Sequence, residues 1–215
     1  RGYKNIAIIR PLNAGFWKFA SDEFTKGAQS HGITIVDDVD IGNPLSMDYR
    51  TFIAKVKAKN PDAIFFVTAD PGECVFLKQM KEQGVNIPLL ATEAAGNNTS
   101  LEQCPQDMGN LYFSTPSVDH PGYETFRKAF VKKYSREPLF PSAVTAYDGV
   151  RVTVAALKKT NGEGGPALQK VLAETKNFSG AALPVITFKS NGFMETPNDA
   201  FVVQTVKDGK FVEVE

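Results

Sequence analysis

The chain has 215 residues, 42% hydrophobic and 22% charged, the mix of a globular protein with one or two domains and a sizeable core. Its 24 Lys and Arg balance 24 Asp and Glu, and no local basic run offsets that neutrality, so nucleic-acid binding has no electrostatic basis. No apolar stretch approaches the roughly 20 residues that span a bilayer, and the opening "RGYKNIAII" lacks the regions of a signal peptide, so an export signal is expected only outside this sequence.

The first half repeats one pattern. "NIAIIR" (5–10) is a short β-branched apolar run and reads as a strand. A helix follows from about Phe16 to His31, with Phe16, Phe19, Ala20 and Phe24 on one face, and "HG" at 31–32 stops it. "ITIVDDV" (33–39) is the second strand. "SMDYRTFIAKVKAKN" (46–60) is a helix with Phe52, Ile53 and Val56 inward and Lys55, Lys57 and Lys59 outward. "DAIFFVT" (62–68) is the third strand, and "PGECVFLKQMKEQG" (71–84) is a helix that opens on Pro and closes on Gly. "NIPLLAT" (86–92) and "GNLYFST" (109–115) are the fourth and fifth strands. The strand cores at Ile6, Ile33, Ala63 and Ile87 lie 24–30 residues apart, the length of a βα unit. Near-continuous apolar strands alternating with amphipathic helices predict an α/β fold, a parallel sheet covered on both faces by right-handed crossovers.

The second half differs. Helices are expected over 121–138, with Phe126, Phe130 and Tyr134 as its stripe, over 141–162, with Val144, Tyr147, Val150, Val154 and Leu157, and over 165–175. The tail alternates and carries "NG" at 191–192 and "DG" at 208–209, which predicts two or three antiparallel strands.

Open parallel sheets bind ligands at the carboxyl ends of their strands, so the loops 10–17, 37–42, 68–72 and 92–98 are the candidate site. They offer Asn13, Phe16, Trp17, Thr68, Asp70 and Glu93, a set suited to a small polar ligand; Asp38 and Asp40 read as ordinary loop residues. Phe16 and Trp17 are adjacent at a helix start and point in different directions, so one can face the cleft while the other packs. Glu93 follows an apolar strand and is partly desolvated, so it needs a cation or hydrogen-bond donors. Its own loop holds no Lys or Arg. The partner is either a ligand ammonium or the protein itself, through an ion pair or the backbone N–H groups of the next turn, for which Thr92 is an alternative cap.

Enzyme signatures are missing. There is no G-x-G-x-x-G after the first strand, no P-loop, no G-x-S-x-G elbow, and no pair of acids ending the first strand. Cys74 and Cys104 fit no metal-ligand spacing, and whether they form one bridge is open from sequence alone. Cys74 lies near a helix N-terminus, yet neither His31, at a helix end, nor His120, before Pro121, is near it in sequence to act as a base. An enzyme on a flavodoxin-like fold is the weaker alternative.

In order along the chain, "DYRTFIAKVKAKNPDAIFF" (48–66), "FLKQMKEQGVNIPLLATE" (76–93), "FRKAFVKKYSREP" (126–138), "AYDGVRVTVAALKK" (146–159) and "VVQTVKDGKFV" (202–212) resemble segments of the type I periplasmic solute-binding proteins of ABC importers, in the leucine/isoleucine/valine-binding branch. The resemblance covers nearly the whole chain. It implies two α/β lobes with a ligand between them, no catalysis, no cofactor and no metal. "KNIAIIR" (4–10) matches the start of the second lobe, so the chain resembles the C-terminal part of such a protein. Residues 1–116 correspond to lobe two, 117–177 to a helical segment returning to lobe one, and 178–215 to strands returning to lobe two. The apolar faces of 121–175 are then expected to be covered by an N-terminal lobe or another copy of the chain. The implied partners are a small ligand, such as an amino acid or amide-like compound, and the importer's permease. The implied location is periplasmic or extracellular. In amino-acid binders of the family a Glu after this strand accepts the ligand ammonium, and "ATEAAGN" (91–97) places Glu93 there. Aromatic residues close over the ligand. Phe16 matches one of them, whereas Ala69 stands where the second is usual, which leaves the ligand undefined. The same fold also serves as a sensor domain of regulators and receptors, the alternative reading.

Overall fold

The computed structural model describes residues 2–13, 15–68, 71–139, 141–196 and 200–214. In chain order its elements are β1 (Asn5–Arg10), α1 (Gly15–Ser30), β2 (Thr34–Asp40), α2 (Arg50–Lys57), β3 (Ala63–Phe66), α3 (Gly72–Glu82), β4 (Leu89–Ala91), α4 (Asn98–Gln103), β5 (Leu111–Pro116), α5 (Pro121–Tyr134), α6 (Ser142–Lys159), α7 (Gly165–Ala173), β6 (Phe178–Ser179), β7 (Val185–Ile186), β8 (Phe201–Lys207) and β9 (Lys210–Glu213). They form two compact units, Arg1–Ser114 with Val203–Glu215, and Thr115–Val202.

The first unit is built on a sheet of order β2-β1-β3-β4-β5-β8-β9. The pairs β1–β2, β1–β3, β3–β4 and β4–β5 are parallel, and β8–β9 is antiparallel. The alternation of a strand sends Ile6 and Ile8 to one face with Ala63, Phe65 and Val67. Ala7 and Ile9 go to the other face with Ile64 and Phe66. Helix α1 covers the first face: Trp17 and Phe24 pack there, and the Phe24 ring stacks on Phe65 with centroids 3.8 Å apart. The second face buries Ile53 and Val56 of α2 and Phe76, Leu77 and Met80 of α3. The predicted α/β sheet with helices on both faces is thus present, and the chain reverses its direction across the sheet between β1 and β3. The "DG" turn closes the β8–β9 hairpin with Asp208 at φ 52° and Gly209 at φ 70°, the two left-handed residues of a type I′ turn.

Three local differences from the sequence expectation have clear causes. Helix α2 starts at Arg50 rather than 46, because buried Gln79 of α3 takes the backbone ahead of it: its Oε1 accepts from Tyr49 N at 2.7 Å and its Nε2 donates to Met47 O at 3.0 Å. Helix α5 ends at Tyr134 rather than 138, because Ser135 turns left-handed at φ 53° and donates its N–H to Val131 O. Between β4 and β5, where no helix was expected, two 3-10 turns (Glu93–Ala95 and Met108–Asn110) flank the six-residue α4.

Cys74, in the first turn of α3, and Cys104, just after α4, are bonded at 2.01 Å. That resolves the question the spacing left open and removes Cys74 as a nucleophile. Closing a loop of 30 residues restricts the unfolded chain by about 3–4 kcal/mol in the loop-entropy account.

The second unit contains α5, α6, α7 and the short β6–β7 pair. Residues 178–202 fall in the same unit as these helices; among the described residues of the tail, β8 and β9 join the large sheet, and the "NG" turn closes a bridge between Phe188 and Met194. Phe126, Val144, Ala181 and Ala182 form the core of this unit. Asp148 on α6 is 3% exposed. Its Oδ2 accepts from Ala181 N at 2.6 Å and Ala182 N at 2.7 Å, and its Oδ1 accepts from Arg151 at 3.0 Å. Along α6, Tyr147, Val150 and Val154 are exposed.

Two predictions follow from these contacts. Asp148→Ala leaves two buried N–H donors unsatisfied and should lower stability by about 2–4 kcal/mol in urea unfolding, whereas Asp148→Asn, which keeps an acceptor, should cost less. Asp62 accepts from Lys4 N at 2.7 Å and Asn5 N at 2.8 Å, and these bonds hold its carboxyl below the ordinary value of 3.8. A pKa depressed by folding gives stability that is complete above 3.8 and is lost as pH falls through the lower folded value. Asp62→Asn should therefore flatten stability against pH in that acid range, measured by urea unfolding at a series of pH values.

Candidate functional site

Because β1, β3 and β4 are adjacent and parallel, the loops after them emerge side by side at one edge of the sheet. This edge includes the reversal between β1 and β3, where open α/β sheets form a crevice. After β1, Asn13 is exposed and Phe16 is 56% exposed at the start of α1. Trp17 is half-buried, packs against the core on the α1 face, and donates its Nε1–H to Thr68 O at 3.0 Å. The two rings meet edge to face with centroids 6.4 Å apart. Of the adjacent pair, Trp17 is therefore the anchor that fixes α1 to the end of β3, and Phe16 is the ring that faces outward.

Thr68 is buried, and its hydroxyl is already engaged: it donates to Pro44 O at 2.8 Å and lies 3.3 Å from the buried Tyr49 hydroxyl. Burial pushes the Tyr49 phenol up, so it stays protonated. Gly72 opens α3 directly against this pair, where an added Cβ would come within 2.5 Å of Thr68 and 2.8 Å of the Tyr49 hydroxyl. Ala69 and Asp70, the other two candidates after β3, lie outside the described residues.

Glu93 is half-buried at the start of the 3-10 turn after β4. Among the described residues its carboxylate has neither a hydrogen bond nor an ion pair; only its backbone carbonyl is used, by Gly96 N. Nor does Thr92 cap the turn with its side chain. The next residues are fixed tightly: an added Cβ on Gly96 would lie 2.1 Å from the Phe113 ring. Asn97 then caps α4, accepting from Ser100 N at 2.8 Å and donating to Ala94 O at 2.8 Å.

One charged group at this edge was not singled out from the sequence. Arg10, the last residue of β1, is 8% exposed. Its Nε and Nη2 form a fork on Asp38 at 2.9 and 2.5 Å, and its Nη1 binds Ser21 Oγ at 2.9 Å together with Asp22. The bond to Asp38 is the largest of the effects that raise its pKa. Lys18 holds the second oxygen of Asp22 at 2.5 Å. Asp40 accepts from Leu12 N at 3.0 Å and Gly42 N at 2.8 Å, which lowers its pKa. The signal was a cation ending a strand opposite the acids of "VDDVD" (36–40), legible only once β1 and β2 are known to pair.

A cavity of about 750 Å³ lies elsewhere, within the second unit, lined by Val152, Leu168, Leu172, Ile186, Phe188 and Met194 among others. It is mostly apolar, its one acid, Asp148, is committed to backbone N–H groups and Arg151, and no Lys or Arg lines it. No group of side chains among the described residues could hold a metal ion. No helix among them is long and apolar enough to cross a membrane.

Known proteins agree on this architecture. A leucine-binding protein from Thermotoga maritima MSB8 superimposes with a TM-score of 0.85 at 20% identity, over 100% of this chain and 60% of that one. An ABC transporter substrate-binding protein from Desulfitobacterium hafniense, solved in complex with Leu, gives 0.73 at 25% identity over 99% of this chain and 61% of that one. In sequence, the Leu/Ile/Val-binding protein homolog 7 of Brucella suis biovar 1 (strain 1330) is 23% identical over 180 residues, 79% of this chain and 45% of the relative. The chain thus spans less than half of that relative and about three fifths of those solved proteins. The family model described as "Periplasmic binding protein" matches residues 1–210, and the chain belongs to that family of binding proteins.

Proposed function

We propose that the protein binds a small amino-acid-like solute at the carboxyl edge of its parallel sheet, with Glu93 accepting the ligand's ammonium group. The observation that carries this reading is the Glu93 carboxylate itself, half-buried at a strand end and without a partner among the described residues. A carboxylate in that position gains from a cation that the surrounding loop does not provide. Phe16 covers the apolar part of the ligand, held at its angle by Trp17. Asn13 and Thr68 line the same edge, and Thr68, with its hydroxyl engaged, contributes shape rather than a donor. The Desulfitobacterium relative solved with Leu supports an α-amino acid as the ligand class.

The whole protein then delivers its solute to the permease of an ABC importer from a periplasmic or extracellular location. A disulfide fits such an oxidising compartment. The exposed Tyr147, Val150 and Val154 of α6 are covered by an N-terminal lobe or another copy of the chain, since the relatives extend well beyond the matched length.

Titration calorimetry of the full-length protein with L-leucine, L-isoleucine and L-valine should find binding to at least one. Glu93→Gln should weaken it by roughly 30-fold or more, the scale of losing one partner of a desolvated charge pair. Unchanged affinity in that variant would remove Glu93 from the role.

A further inference from the structure

The segment that carries Glu93 has little regular structure of its own. Residues 92–110 hold two 3-10 turns and a helix of six residues, less than two turns and too short to be stable by itself. Its buried side chains are few and mostly small: Ala95, Ser100, Cys104 and Met108. Yet two features make one frame of it. Asn97 ties the Glu93 turn to the first turn of α4 through Ala94 O, Ser100 N and, at 3.0 Å, Ser100 Oγ. At the far end of α4, Cys104 is bonded to Cys74.

Cys74 is itself fixed at the edge. It lies in the first turn of α3, two residues beyond Gly72, which is pressed against Thr68 and Tyr49. The bridge therefore joins the segment after β4 to the first turn of α3. Without it, their spacing depends on packing between α3 and a six-residue helix, on the Lys81–Asp107 ion pair at 2.7 Å and on the close approach of Gly96 to the Phe113 ring.

We infer that the Cys74–Cys104 bridge is a positioning device for Glu93: it holds the carboxylate at a fixed place relative to the first turn of α3 before a ligand arrives. This rests on the proposed role of Glu93. Cys74 and Cys104 touch no ligand in this scheme and act through the frame. A bridge that only stabilises the fold would raise the unfolding midpoint and nothing more; a positioning bridge changes the local order of one segment and the affinity that depends on it.

The test compares the bridged full-length protein with the Cys74→Ala/Cys104→Ala double variant and, as a control that needs no mutation, with the wild type reduced by a phosphine. Hydrogen exchange by peptide should quicken about tenfold or more in residues 92–104 and stay unchanged in β1, β3 and β5. L-leucine affinity should fall roughly tenfold, the cost of ordering about one backbone residue on binding. In a Glu93→Gln background, losing the bridge should change affinity less than about threefold, because the effect runs through that carboxylate. Exchange that quickens equally throughout the sheet, or not at all in 92–104, overturns the proposal, as does an affinity loss of the same size with and without Glu93. If none of L-leucine, L-isoleucine and L-valine binds the bridged wild type, the amino-acid reading fails by itself, and exchange in 92–104 alone decides the positioning claim.

Discussion

Strand β1 has no free face. Ala7, Ile8 and Ile9 are fully buried, with Ala7 and Ile9 on one side of the sheet and Ile8 on the other. A strand buried on both sides forces helices onto both sides, and parallel neighbours force each crossover to return along one face. With β1 between β2 and β3, the right-handed rule sends α1 to one face and α2 and α3 to the other. The reversal this creates opens the carboxyl edge between β1 and β3. The crevice is thus a consequence of how one apolar strand is covered, and the side chains at its rim are whatever the loops there carry.

The βα part of this arrangement is legible because two periods, two for strands and 3.6 for helices, alternate cleanly through the first four strands. Legibility fails where a distant residue takes over. Nothing within 46–49 indicates that Gln79, 30 residues on, will occupy its backbone and delay α2. The α4 region has too few apolar residues to show a period, and its order comes from Asn97 and from a bond to a cysteine 30 residues earlier. In the tail, "DG" marked a true hairpin, while "NG" marked a turn whose flanking residues, among those described, form an isolated bridge; the dipeptide fixes the turn, and pairing with a sheet makes the strands. At the candidate site, Glu93 stood out because its loop holds no cation. The division of labour between Phe16 and Trp17 did not, since only the Trp17 bond to Thr68 decides which ring is the anchor.

The two kinds of charge at this edge are used differently. The guanidinium of Arg10 is spent inside the protein: Asp38 takes one side, Ser21 and Asp22 the other, and Lys18 goes to Asp22 as well. Asp40 is satisfied by backbone donors. These cations lock β1, β2 and α1 together and have little attraction left for a ligand carboxylate. Glu93 is the opposite, a charge the fold leaves without a mate among the described residues. Under the proposed reading, this unit therefore recognises the ammonium half of a zwitterion, and the carboxylate half is met by groups elsewhere.

A half-exposed carboxylate also limits what this edge can do alone. In contact with water, an ion pair contributes from nothing to about 1 kcal/mol. The same pair strengthens several-fold when a second wall excludes water and lowers the local dielectric. Position and affinity are then set by different parts of the molecule. Under the proposed reading, the frame of α4, Asn97 and the disulfide sets where the ammonium sits, and covering the cleft sets how tightly it is held. Under that reading, an edge whose carboxylate is weak in the open and strong when covered releases its ligand whenever the cover lifts.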